Sequence, residues 1–169
     1  MSTDDKINTK MTHVIGVPKL NGQKCGLTVY RMIFFKDEKM AVLPTMPPKG
    51  TWLIDANMRE ASCHGFGRNM ALPETYYWFY HQVKNHGPWD YKQQRHDLAN
   101  FGNFNYGATG FAAGIPEETL YKGAGFAQIR AGTSNPQWGA WHGKPPYGDD
   151  PRDQFWIKQG IDYAKQHGY

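Results

Sequence analysis

Cysteine is scarce in this chain. Only Cys25 and Cys63 occur, without a CxxC pair, so a multi-bridge disulfide scaffold and a paired-thiol redox motif are excluded. One disulfide or two free thiols both remain open. No apolar run approaches the length needed to span a bilayer. The first twelve residues, MSTDDKINTKMT, hold no apolar core of the kind a signal peptide needs. If the protein acts outside the cytoplasm, another machine must carry it there. There is no Walker loop, GxSxG, HExxH or dinucleotide fingerprint. His64, His81 and His86 match no standard zinc spacing, and i to i+5 places two ligands poorly on one helix face. Neither cysteine lies in a nucleophile context. No metal and no cofactor are therefore expected. Internal repeats and low-complexity tails are also missing.

What the chain does hold is rings and small polar residues. Its 169 residues suit one domain with a real core. Aromatics make up 15% of it, so rings must fill much of the interior. The net charge of +4 suits a polyanionic target such as nucleic acid or an anionic cell-wall polymer.

The pattern predicts a mainly α fold of α+β type, with a small N-terminal β-hairpin element. Residues 1–50 form a leader and that β part; residues 51–169 form a helical domain. Residues 13–17 and 27–35 read as strands, the latter rich in β-branched and aromatic residues, with residues 40–43 pairing back. The PTMPPKG stretch at 44–50 breaks the chain. Asp55 is expected to cap a helix over 56–64. Pro73 suits the first turn of a second helix, which ends near the Asn85-His86-Gly87-Pro88 break. With rings on nearly every face, that helix is expected to be central and buried. Residues 106–113 read as a small-residue helix packed tightly on a neighbour. Pro116, Glu117 and Glu118 open another, with acids favoured by the helix dipole. Residues 132–148 are loop, and 150–166 the last helix.

Candidate chemistry concentrates in four blocks: GPWDYKQQ from Gly87, FGNFNYGATG from Phe101, GAGFAQIRAGTS from Gly123 and YGDDPRDQ from Tyr147. In the last, Asp150, Pro151 and Asp153 fit a capped helix start. Asp149 lies outside the cap and is free for acid–base work. Asp90 is either a helix cap or a catalytic carboxylate, with Lys92 as an electrostatic clamp and Trp89 and Tyr91 as a stacking platform. Asn103 and Asn105 offer donors and acceptors to hydroxyl-rich or amide-rich ligands, or satisfy a local turn. Gln128, among small residues, either orients a reacting group or bridges backbone. Glu60, on a short helix beside an apolar stretch, is either an exposed glutamate or an acid of raised pKa, as a glycosidase needs. Lys92, Arg95 and His96 could instead bind phosphate and move protons, as in a metal-independent ribonuclease.

In wording and order these blocks resemble polymorphic toxin type 44 (bacterial toxin 44). The resemblance runs from about Trp52 to the C-terminus and is densest from Trp89 to Gln154. It implies a mostly helical antibacterial effector domain, delivered into a target bacterium with a secretion-system protein and partnered by a cognate immunity protein. The shared blocks hold Asp, Asn, Gln, Tyr and Trp with a single Lys, which suits carbohydrate cleavage better than phosphodiester cleavage. The expected target is accordingly the peptidoglycan glycan in the periplasm, cut by carboxylate acid–base catalysis. Asp90, Glu60 and Asp149 are the catalytic candidates. Trp89, Tyr91, Lys92, Asn103, Asn105, Tyr106 and Gln128 are the substrate-binding ones. The alternative is a ribonuclease toxin acting on RNA in the target cytoplasm.

Overall fold

A computed structural model describes residues 40–169. The described residues form six α-helices: α1 (Gly50–Cys63), α2 (Pro73–Val83), α3 (Tyr91–Gln94), α4 (Ala99–Ala112), α5 (Glu117–Arg130) and α6 (Pro151–Gln166). The described residues contain no strand. The expected strands at 13–17 and 27–35 lie outside the described residues. Residues 40–43 form no strand; Ala41 and Val42 donate their N–H groups to the side chains of Gln166 and Gln159 on α6. Cys63 is disulfide-bonded, and Cys25 lies outside the described residues. No described helix is long and apolar enough to cross a membrane.

The fold is organised around α4. Phe101, Phe104, Asn105, Gly107, Ala108, Thr109, Gly110 and Phe111 are all buried, so this helix is enclosed on most of its faces. α1 covers it with Ile54, Asn57, Met58 and Ala61, a stripe at i, i+3, i+4 and i+7. α6 covers it with Ile157, Gly160, Ile161 and Ala164 at the same spacing. All these apolar residues belong to one core cluster.

Glycine decides how close α4 and α6 can come. A Cβ on Gly107 would lie 2.1 Å from the Ile157 carbonyl oxygen, and one on Gly160 would lie 1.9 Å from that of Phe104. The two notches are reciprocal, so backbone meets backbone at both. Gly110 makes a third notch, filled by Leu120 and Phe79. The expected tight small-residue packing of this segment is thus what occurs.

Three helix starts follow their local signals. Pro73 opens α2, Glu117 and Glu118 lie in the first turn of α5, and Asp150 caps α6 with Pro151 behind it. α1 starts earlier than expected, at Gly50 after Lys49 in the left-handed region (φ 58°). Asp55 is inside that helix, where its carboxylate accepts from the Tyr163 hydroxyl at 3.0 Å. α2 is not central. Only Thr75 and Phe79 are buried, whereas Tyr76, Tyr77 and Tyr80 are exposed. Its rings are partly satisfied locally, by Tyr77 and Tyr80 against His81 and by Lys84 over Tyr80.

Replacing Gly107 or Gly160 by alanine forces the helices apart. Each change is expected to destabilise the domain by about 3 kcal/mol or more. Gly102, in the same helix, has nothing nearer than 3.9 Å to an added Cβ. Gly102→Ala is expected to gain up to about 1 kcal/mol from helix propensity alone. Urea unfolding of the three variants checks this, and equal effects at all three positions would refute the notch account.

Candidate active site

Four sequence blocks converge on the start of α6. The chain reaches it through a constrained loop. Tyr147 and Gly148 both have positive φ, at 61° and 78°, and a non-glycine residue in that region stores strain. The loop is held from two sides. A Cβ at Gly125 of α5 would come within 1.8 Å of the Tyr147 carbonyl oxygen, so glycine is required there. Ser134, in the AGTS turn after α5, donates to the Gly148 carbonyl at 2.6 Å, and Gly148 N–H donates to the Trp138 carbonyl at 2.8 Å. The GAGF and AGTS sequences therefore serve to fix the two residues before Asp149.

Asp149 is delivered into the interior, with 2% of its surface exposed. Its Oδ2 accepts from Gln154 Nε2 at 2.6 Å, and the same amide nitrogen donates to the Tyr121 carbonyl at 3.2 Å. Burial, above all, raises the carboxyl from its ordinary value to about 6. The charges of Asp153 and Asp150 add to the rise, and hydrogen bonds from the Gln154 side chain and the Asp150 backbone oppose it. Burial first, and the Asp149 charge second, push the Tyr106 phenol upward; its hydroxyl donates to the Leu120 carbonyl at 3.0 Å.

The neighbouring aspartates divide by environment. Asp150 caps α6 through the Arg152 N–H at 2.8 Å and pairs with the Arg152 guanidinium, which holds its carboxyl low. Asp153 is half-buried and shifted upward, by desolvation first and by the Asp150 charge second. Lys92 from α3, Arg152, and a hydrogen bond from Asn103 on α4 act against that shift. Asp149 and Asp153 thus form a pair of carboxyl groups in partly desolvated surroundings, with an amide and an ammonium facing one of them.

The remaining sequence candidates are placed as follows. Lys92 and Asn103 belong to this cluster. Trp89 is in the core, edge-on to Trp78 at 5.5 Å, and Tyr91 is in the core against Phe101 at 4.8 Å. Asn105 is fully buried; its Oδ1 accepts from Asn57 Nδ2 at 2.8 Å, and Asn57 also donates to the Tyr91 hydroxyl at 2.7 Å. Its own Nδ2 has no partner among the described residues. Asp90 is buried and accepts the His86 N–H at 2.8 Å, which holds the loop where His86 takes a positive φ of 61°. Burial pushes the Tyr91 hydroxyl up and the His64 imidazole down; Glu60, on α1, lies near enough for its charge to add to the first shift and oppose the second. Gln128 closes the turn after α5 through two bonds with Thr133, at 3.4 and 3.3 Å.

Sequence reasoning missed Gln154 as the partner of Asp149, and it missed Tyr121, Tyr147 and Lys158. These residues border an open cleft of about 290 Å³, together with Pro145 and Phe155. One signal was available: Gln154 and Lys158 are spaced i, i+4 and so share a helix face. The loop conformation that adds Tyr147 to that face leaves no local pattern.

Residues 89–166 match the family described as bacterial toxin 44. No curated protein and no solved structure matches the chain. The matched segment runs from Trp89 through α6, so it contains Asp149, Asp153, Lys92, Asn103, Gln154 and the whole cleft. α1 and α2 precede it and pack into the same core.

The Asp149 environment has a measurable consequence for stability. Its folded pKa of about 6 lies above the ordinary value of 3.8. The neutral form is therefore favoured by folding, and this contribution is complete below about pH 4. It is lost as pH rises through about 6. Asp149→Asn keeps an acceptor for Gln154 and cannot ionise. At pH 8 the variant is expected to be more stable than the parent by about 1–3 kcal/mol, and at pH 3.5 equal to it. Thermal unfolding across pH decides this; a variant less stable than the parent at pH 8 would contradict it.

Proposed function

We propose, for a chain whose residues 89–166 match the bacterial toxin 44 family, that it is an antibacterial toxin that cleaves the glycan strands of peptidoglycan. The observation that carries this reading is Asp149, a buried carboxyl raised to about 6 beside an aromatic-lined cleft. Glycosidases need one carboxylic acid that is still protonated near neutrality to donate to the leaving oxygen, and a second carboxylate to activate water or to attack. Asp149 takes the first role. Asp153, whose carboxyl faces Lys92 and Asn103, takes the second. Gln154 lines the cleft and also holds Asp149. Rotation of its side chain opens a path from the acid to a sugar in the cleft. Such hydrogen bonds commonly rearrange when substrate binds.

Asp90 and Glu60 have no catalytic role in this scheme. Asp90 is committed to the His86 N–H, and Glu60 belongs to the neighbourhood of Tyr91 and His64. Of the trio in the ribonuclease reading, Arg95 pairs with Asp97 and Lys92 faces Asp153. As an effector the domain meets its substrate in the periplasm of a target cell, and a cognate immunity protein protects the producer.

Purified protein is expected to release muropeptides from isolated sacculi, and Asp149→Asn to lower that rate by about 100-fold or more. Because the donor must be protonated, activity falls about tenfold per pH unit well above pH 6. In a bacterium, toxicity should require an added periplasmic signal peptide. Growth arrest from cytoplasmic expression alone, with degraded RNA and intact sacculi, would establish the ribonuclease reading instead.

A further inference from the structure

Asp149 does not border the cleft. Its walls are Tyr121 on α5, Pro145 and Tyr147 on the loop, and Gln154, Phe155 and Lys158 on α6. Lys158 is paired with Asp162 at 2.6 Å. Gln154 is the wall residue bonded to the acid. Its amide nitrogen donates to Asp149 Oδ2 at 2.6 Å and to the Tyr121 carbonyl at 3.2 Å. A side-chain amide nitrogen has two donors, so both are spent within the protein. Among the described groups bonded to Asp149, Gln154 alone borders the cleft.

A sugar entering the cleft brings hydroxyl and acetamido oxygens, which accept from an amide as the Tyr121 carbonyl does. The two bonds of Gln154 differ in what breaking them costs. The Tyr121 bond joins neutral groups. The Asp149 bond strengthens when the carboxyl ionises, because an amide holds a charged acceptor more tightly than a neutral one. Drawing the amide off Asp149 is therefore easier when the carboxyl carries its proton. Both protonation states are populated near neutrality: burial, above all, raises this carboxyl to about 6, and the Gln154 bond opposes the rise. Other groups act on the acid from neighbouring elements. Asp153 and Asp150 do so from α6, the latter paired with Arg152, and the Tyr106 phenol from α4. Lys92 on α3 acts on Asp153, and the Tyr121 phenol on α5 feels Glu117 and Asp162.

We propose that Gln154 is the positioning residue that couples this cleft to Asp149: a neutral sugar takes the amide, and the cleft fills most readily when Asp149 is protonated. The proposal rests on the glycan-cleaving reading above and adds that substrate and proton bind together. Linkage makes the effect reciprocal. An Asp149 released by the amide holds its proton more firmly, so the substrate itself arms the proton donor.

The test uses the full chain and a chitotriose with sulfur in place of its bridging oxygens, a neutral sugar that resists acid-catalysed cleavage. Calorimetry in buffers of different ionisation enthalpy should show proton uptake on binding near pH 6. Affinity should be about fivefold higher at pH 5 than at pH 8. In an NMR titration of the side-chain carboxyl carbon, saturating sugar should raise the proton affinity of Asp149 by about the same factor. Gln154→Met, which cannot donate, should raise it without sugar and remove the pH dependence of binding. Gln154→Lys, a cationic donor of similar reach, should lower it. A purely structural role would not move Asp149 in opposite directions. Binding without proton uptake, an Asp149 midpoint unmoved by bound sugar, or no binding of the sugar would overturn the proposal. So would a Gln154→Met midpoint at or below that of the parent. The parent-chain measurements decide the matter even where a variant fails to fold. If sacculi are cut while sugar binding is independent of pH, the coupling falls and the hydrolase stands. If the coupling holds while sacculi stay intact, the hydrolase falls and the coupling stands.

Discussion

The backbone contact between α4 and α6 governs the molecule. Gly107 and Gly160 let the two helices meet at carbonyl distance, closer than side chains of any other residue permit. The first turns of α6 are thereby set against the first half of α4. Asn103 reaches Asp153, and Tyr106 reaches the Asp149 neighbourhood. At ordinary interhelix distances of 8–10 Å these short polar side chains would be separated by a layer of apolar ones. The chemistry of the site therefore depends on a packing feature that carries no chemistry itself.

A second constraint acts on the loop before α6. Asp149 and Asp150 are adjacent in sequence yet reach opposite electrostatic fates. Asp150, also largely covered, caps the helix and pairs with Arg152. Asp149 turns inward, loses solvent and gains only neutral donors, the Gln154 amide and the Asp150 backbone. The loop imposes this split, through the positive φ of Tyr147 and Gly148 and the anchors at Gly125 and Ser134.

Much of the fold was legible because its helix starts are local. Proline at Pro73, acids at Glu117 and Glu118, and the Asp150–Pro151 cap act through the residues that carry them, and the structure starts helices there. The start of α1 was not legible, since Lys49 reaches a left-handed conformation that its sequence does not announce. The ring-rich α2 misled because aromatic content does not distinguish a central helix from a peripheral one. Tyrosine keeps its hydroxyl in water and covers its neighbours with the ring. At the site, Asp149 stood out as the aspartate outside the cap. Its burial, the Gln154 bond and the cleft depend on contacts between α5, the loop and α6, and no spacing encodes those. Trp89, Tyr91 and Asn105 carried the polar-aromatic signature of a ligand site. They spend it on the core instead, in the Asn57–Tyr91–Asn105 network that ties α1, α3 and α4 together.

The most direct test of this account is the ionisation of Asp149 itself, followed by NMR titration of its side-chain carboxyl carbon in the intact chain. A midpoint near 6, with Asp150 titrating well below the ordinary carboxylate value, is what the structure requires. An Asp149 midpoint at or below about 4 would place the group in water, and the buried proton donor at the centre of this account would not exist.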